Sequence, residues 1–261
     1  MYEMKLNAPA QISAIVLFLQ ETFSNTSKHA GVIAVSGGID SALSLSLLAL
    51  ALPKEQIWPI LLPYERQDIT DALTILDFWQ IPPQNRKILN ITSMVDAAIT
   101  SLQIGTTDNL RKGNLMARTR MIATFDFAKL KNALVVGTEN KTEHYLGYFT
   151  RFGDEASDVE PLLTLYKTQV RQLAQELNLP EVFLQKAPSA GLWPGQSDEV
   201  ELGFSYELAD QVLSYLIDQN KSETEIKALF ALATPEKKLA VAQILNHIKQ
   251  VSFKQQVPYH L

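Results

Sequence analysis

The chain has 261 residues, 46% of them apolar, a net charge of −5 and no cysteine. That length and apolar share allow a sizeable core in one large domain or two small ones, and the acidic balance argues against a general nucleic-acid binder. Without cysteine these residues hold no disulfide, no thiolate zinc site and no cysteine nucleophile.

In chain order, residues 11–22 alternate apolar and polar side chains at helical spacing. Residues 31–35, Gly-Val-Ile-Ala-Val, form a short β-branched run that reads as a buried strand. A Ser-Gly-Gly-Ile-Asp-Ser segment breaks it, and 42–52, rich in Leu and Ala, reads as a helix stopped by Pro53. The alternation repeats: a strand over 57–62, a helix over 70–79, a weak strand over 86–89, and a helix over 92–102 with Thr92 as candidate cap. A long helix over 115–130 leads to a strand over 133–137. This order implies an α/β fold with a doubly wound parallel sheet.

Beyond Gly137 the texture changes. Residues 139–160 are polar, aromatic and glycine-containing, 166–177 read as a helix, and 187–198 read as a loop with two Pro and two Gly. Helices over 208–217, 223–232 and 235–248 form a helical C-terminal addition. No repeat or linker interrupts the chain, so one domain over 1–261 is expected. No run of about 18 apolar residues suggests a membrane span. The start lacks the charged-then-apolar layout of a secretory signal, so a cytoplasmic location without membrane partners is expected.

The segment Ser36, Gly37, Gly38, Ile39, Asp40, Ser41 lies between a strand and a helix, at the sheet edge where ligands bind. Two glycines admit a close anion, and the N–H groups and dipole of the following helix favour negative charge. The loop lacks the lysine and spacing of a Walker A motif. Asp40 is odd in such a cradle unless a bridging Mg²⁺ reverses the sign. The plainer alternative is a tight turn capping a helix. The stretch 111–186 carries 11 Lys and Arg against 9 Asp and Glu, a weakly basic middle that suits a small polyanion as well as it suits random surface clustering.

Ser-Gly-Gly-Ile-Asp-Ser resembles the pyrophosphate loop of N-type ATP pyrophosphatases. Further strings narrow the likeness: Gly-Asn-Leu-Met-Ala-Arg-Thr-Arg-Met from Gly113, Gly-Thr-Glu-Asn-Lys-Thr-Glu from Gly137, Gly-Tyr-Phe-Thr-Arg-Phe-Gly-Asp from Gly147, and Leu-Tyr-Lys-Thr-Gln from Leu165. In this order they are similar to the NAD synthetases, and Pro188-Ser-Ala-Gly-Leu-Trp and Gly195-Gln-Ser-Asp-Glu-Val-Glu extend the match. The resemblance implies an adenine-nucleotide α-hydrolase-like fold and an ammonia-dependent ligase. It would convert deamido-NAD to NAD with ATP through an adenylated carboxylate, releasing AMP and pyrophosphate.

Carried over by matching position, the resemblance implies that Ser36, Gly38 and Ser41 hold the ATP pyrophosphate, with Gly37 and Ile39 of the same loop also binding ATP. Asp40, Glu143 and the Ser189 hydroxyl would ligate Mg²⁺, while Thr138, Lys167 and Lys186 contact ATP. Asn114, Arg118, Arg151, Asp154, Glu201 and Lys254 would face deamido-NAD, across a homodimer interface. Asp40, Asp154 and Lys186 are the candidate catalytic groups, Asp154 as proton acceptor for the incoming ammonium. Independently of the resemblance, Thr138, Lys141 and Glu143 follow a strand and so share the edge of the glycine loop, and Arg118, Arg120 and Lys167 can neutralise phosphates. The loop 186–198 reads as a lid able to deliver Lys186.

Tyr148, Phe149 and Phe152 read as core aromatics and His144 as structural. A glutamine-using enzyme commonly needs a cysteine nucleophile, so free ammonia is the expected nitrogen source and no glutaminase domain is expected. Two strings depart from the family pattern. Leu61-Leu62-Pro63 stands where an arginine commonly precedes Leu-Pro, leaving Arg66 as the candidate substitute, and Phe253-Lys254-Gln255 replaces His-Lys-Arg.

Overall fold

A computed structural model describes residues 4, 6–105, 107–189, 191 and 195–256. Helix α1, Ala8–Asn25, precedes strand β1, Gly31–Ala34, and α2, Ile39–Ala51. Strand β2, Ile57–Leu61, leads to α3, Thr70–Phe78, and β3, Lys87–Ile88. Helices α4, Thr92–Ser101, and α5, Asn109–Lys131, then return the chain to β4, Leu134–Val136. The remaining helices are α6 Lys141–Leu146, α7 Lys167–Glu176, α8 Glu181–Gln185, α9 Asp198–Leu202, α10 Tyr206–Leu213, α11 Glu223–Leu229 and α12 Pro235–Val251.

Among the described residues the sheet is all parallel, in the order β3-β2-β1-β4. The chain steps outward from β1 to β3, then crosses back to add β4 on the other side of β1. The strand order therefore reverses between β1 and β4, and adjoining loops diverge there to leave a crevice. Successive side chains alternate between two cores, as strand geometry requires. Ile33, Val35, Ile57, Leu61 and Val136 pack under α1, α2, α3, α7 and α8. Val32, Ile60, Leu62 and Val135 pack under α4 and α5. A third core joins Leu146 of α6 to α10, α11 and α12 through Tyr206, Val212, Ile226 and Ile244, so the helical addition is anchored to the elements that follow β4.

Several boundaries differ from the sequence reading, each for a local reason. Helix α2 begins at Ile39, which puts Asp40 and Ser41 in its first turn, where the dipole favours a carboxylate. Thr92 is the first residue of α4 and not its cap: Asn90 Oδ1 accepts from Thr92 N at 2.9 Å, and the Thr92 hydroxyl accepts from Glu65 N. Helix α6 falls within the polar, aromatic stretch 139–160 and α9 starts at the last residue of the stretch read as loop, 187–198; tertiary contacts stabilise pieces too short to be helical alone. The helix expected over 208–217 ends at Leu213 and continues as a π-helical turn, 214–218. No described helix is long and apolar enough to cross a membrane.

Candidate active site

The loop after β1 holds its shape through its own hydroxyls. Gly37 has φ +82, a conformation glycine adopts without a Cβ penalty. The Ser36 and Ser41 hydroxyls lie 3.1 Å apart, Gly38 N donates to Ser36 Oγ at 3.3 Å, and Ser41 Oγ donates to Gly38 O at 3.0 Å. Ile39 and Ser41 open α2 directly beneath. The result is a pre-formed turn at a helix N-terminus, whose orphan N–H groups suit an anion.

The loop after β4 meets it across the crevice. Gly137 is needed for close approach: a Cβ there would stand 1.7 Å from Glu160 Oε1. Its carbonyl accepts from the buried Ser44 hydroxyl of α2 at 3.0 Å. Thr138 follows, half-buried. Asn140, fully buried, accepts from Glu143 N at 3.0 Å to cap α6 and donates through Nδ2 to Asp40 Oδ1 at 2.8 Å. One side chain thus starts α6 and fixes the carboxylate of the opposite loop.

Lys167, the first residue of α7, is buried between these groups. Its Nζ donates to Asp40 Oδ2 at 2.6 Å and to Glu143 Oε1 at 2.9 Å. Its backbone N–H donates to Thr142 Oγ1 at 2.8 Å, and the Tyr206 ring lies 5.2 Å from Nζ. Burial alone would lower its pKa, but the Asp40 and Glu143 charges outweigh burial and hold the ammonium above the ordinary lysine value. Burial pushes Glu143 up against the pull of Lys167, and the Asp40 charge adds to the rise. These opposed pressures describe two acids sharing one cation.

The groups proposed to face the second nucleotide gather around the turn that follows α6. Asn114 Oδ1 accepts from Thr150 Oγ1 at 2.7 Å, and Arg118 Nε donates to Arg151 O at 3.2 Å. Asp154 is exposed and accepts from Thr150 N at 2.9 Å. Arg151 stacks over Phe253 at 5.2 Å, so that departure from the family string still supplies a contact. Lys254 donates to Gly147 O and Phe149 O. Glu201 accepts from Tyr148 OH at 2.9 Å.

Other predicted residues stand differently. Lys186 is half-exposed, and its Nζ lies 3.4 Å from Gly37 O and 2.5 Å from Asp71 Oδ2. Ser189 is exposed, and its Oγ accepts from Gly191 N at 3.1 Å. Trp193 and Pro194 of the expected lid lie outside the described residues. Arg120 turns inward, donating to Leu62 O at 3.1 Å and Gln67 Oε1 at 2.9 Å, while Arg66 is exposed. A half-buried cation thus does stand at the end of β2, supplied by α5. Phe149 is buried and stacked on His144, but Phe152 is exposed at positive φ, contrary to its reading as core.

Sequence reasoning passed over Asn140, Asp198, Tyr206 and Asp210. Asp210 is buried, accepting from the Thr142 hydroxyl and from Thr168 N at 2.8 Å, and so fixes the start of α7 under Lys167. Tyr148 and Tyr206 hydroxyls both donate to Asp198 at 3.0 Å. Only Asn140 carried a legible signal, an Asn three residues before Glu at a helix start.

A parallel sheet with an anion-binding loop at its switch point, facing a cation clamped by two acids, defines a nucleotide-handling α/β enzyme. A family model described as NAD synthase matches residues 11–258. The NH(3)-dependent NAD(+) synthetase of Fusobacterium nucleatum is 40% identical over 99% of this chain and 97% of its own. The solved NH3-dependent NAD synthetase from Campylobacter jejuni, in complex with nitrate, superposes with a TM-score of 0.80 at 32% identity, over 98% of this chain and 100% of that one. An NMN synthetase from Francisella tularensis superposes with a TM-score of 0.82 at 31% identity, over 98% and 99%. The chain belongs to the NAD synthase family, and it is an ATP-dependent amide ligase of NAD biosynthesis.

Proposed function

We propose that the enzyme amidates the nicotinate carboxylate of deamido-NAD with ammonia, through an adenylate, releasing AMP and pyrophosphate. The observation that carries this reading is the pairing of Asp40 and Glu143 around one cation beside the glycine loop. Their convergence on the Lys167 ammonium, a stand-in ion, is the donor set a divalent cation uses when phosphates complete its shell. Asp40 and Glu143 would hold Mg²⁺, with Ser189 as a third donor. Bound there, the ion would neutralise charge on the leaving pyrophosphate.

The chain's own groups account for the rest. Ser36 to Ser41 offer hydroxyls and helix N–H groups to the pyrophosphate. Thr138, Lys167 and Lys186 add hydroxyl and cationic contacts to ATP. Asn114, Arg118, Arg151, Glu201 and Lys254 would orient deamido-NAD so that its carboxylate meets the α-phosphorus; alignment is the larger part of catalysis in such a reaction. Asp154, a carboxylate beside this turn that Thr150 N holds in place, would accept a proton from ammonium as ammonia attacks.

One domain with free ammonia as nitrogen source agrees with the absence of cysteine, and a cytoplasmic location suits these substrates. A homodimer is supported by the apolar side chains that α5 exposes near Arg118, Leu110 and Ile122; light scattering tests it. The likeness to an NMN synthetase favours a second reading, amidation of the mononucleotide. The deciding assay measures AMP and pyrophosphate with ammonium and either deamido-NAD or nicotinate mononucleotide. Product with deamido-NAD, and none without ammonium, is the expected result. Turnover confined to the mononucleotide would favour the second reading.

A further inference from the structure

Two carboxylates aimed at one point inside a protein repel each other, and the fold must relieve that repulsion. Here relief comes from within the chain. Lys167 Nζ sits 2.6 Å from Asp40 and 2.9 Å from Glu143, with 3% of its side chain exposed. Two of the three groups are held from outside. Asn140 ties the other Asp40 oxygen, and Thr142 and Asp210 tie the start of α7. The backbone of Lys167 is therefore fixed, and only its side chain can move.

A magnesium ion needs oxygen ligands at about 2.0–2.1 Å. It cannot share the gap with an ammonium already bonded to the same two oxygens. Cation and ammonium thus compete for one place. An arriving polyphosphate changes the balance, because it offers the lysine new acceptors and supplies the ion with further oxygens. We propose that Lys167 is a resident counter-ion, a positioning residue that keeps Asp40 and Glu143 aimed before substrates bind and yields their oxygens to a divalent cation only when ATP arrives. Metal and nucleotide binding are then coupled, each strengthening the other by the same factor. The inference rests on the ATP and divalent-cation reading above.

The test uses Mn²⁺ as probe, with free ion measured by electron paramagnetic resonance on the full chain. Wild type alone should bind Mn²⁺ weakly, and a non-hydrolysable ATP analogue should tighten binding by about tenfold or more. Lys167→Met should bind Mn²⁺ without nucleotide at least about tenfold tighter than wild type. Adding Asp40→Asn and Glu143→Gln to that variant should abolish the gain, and Lys167→Arg, which keeps a cation in place, should not show it. Equal Mn²⁺ affinity of wild type and Lys167→Met without nucleotide would overturn the exchange. Should Lys167→Met not fold, lysine-ε ¹³C resonances of wild type serve instead, with Lys167 assigned by its loss in Lys167→Arg. Its signal should move with Mg²⁺ and ATP analogue together and stay unmoved with Mg²⁺ alone; movement with Mg²⁺ alone refutes the idea. If neither protein binds Mn²⁺ even with the analogue, the functional reading fails as well, and the two failures are told apart.

Discussion

Glu160 offers a quantitative test of how the β4 edge is built. Its carboxyl folds over Gly137, accepting from the Ser157 hydroxyl at 2.7 Å and from Glu139 N at 3.2 Å. Burial raises its pKa from 4.5 to about 8; the Ser157 bond opposes the rise and the Glu139 charge adds to it. Between those two values the folded chain keeps a proton that the unfolded chain has released. Stability contributed by this group is therefore fully present below pH 4.5, falls as pH rises towards 8, and is constant above it. At about 1.36 kcal/mol per pH step the full penalty is about 5 kcal/mol, an upper bound that relaxation and water entry reduce. Glu160→Gln preserves the shape and removes the ionisation. At pH 5 the variant should lie within about 1 kcal/mol of wild type, the scale of one altered hydrogen bond. At pH 9 it should be more stable by about 2–5 kcal/mol. Urea unfolding followed by circular dichroism at pH 5, 7 and 9 measures both. Parallel stability curves for the two proteins, or a wild type that gains on the variant as pH rises, would refute the reasoning.

Four further outcomes follow from the site. Asp40→Asn should cut kcat by about 10²-fold or more, and because Asp40 also anchors Asn140 and Lys167 it should cost about 1–3 kcal/mol of stability, read by thermal melting; unchanged turnover would remove the metal role. Gly37→Ala forces a side chain into φ +82 with its Cβ 3.0 Å from Asp71 Cβ, so stability should fall by about 1–2 kcal/mol and the KM for ATP should rise. Activity should increase with ammonium and with pH as NH₃ is released, and glutamine freed of ammonia should support none; robust turnover on glutamine alone would falsify the ammonia reading. Tryptic cleavage after Lys186, which faces Gly37 and Asp71, should slow when ATP, Mg²⁺ and deamido-NAD are present together; equal rates would argue against nucleotide cover by this segment.

The strand–helix alternation was legible because it is written in local sequence: a β-branched run at 31–35, an apolar run at 57–62, and a Leu- and Ala-rich run between them. The glycine loop was legible too, since a turn that needs Gly37 at positive φ and exposes helix N–H groups leaves few alternatives. Strand order was not. Nothing near Leu134 says that β4 pairs with β1 and not β3, because that choice depends on how α4 and α5 cover the sheet. Nor could spacing show that Lys167, written beside its motif as a phosphate contact, sits between two acids 127 and 24 residues away. Asp198 and Asp210 escaped notice for the same reason: a polar residue in a string reads as surface until folding buries it, and burial then obliges it to find a partner. Chemistry-bearing residue types are local information, carried by the sequence alone. Which acid meets which cation is decided only when the switch point between β1 and β4 brings two distant loops to one crevice.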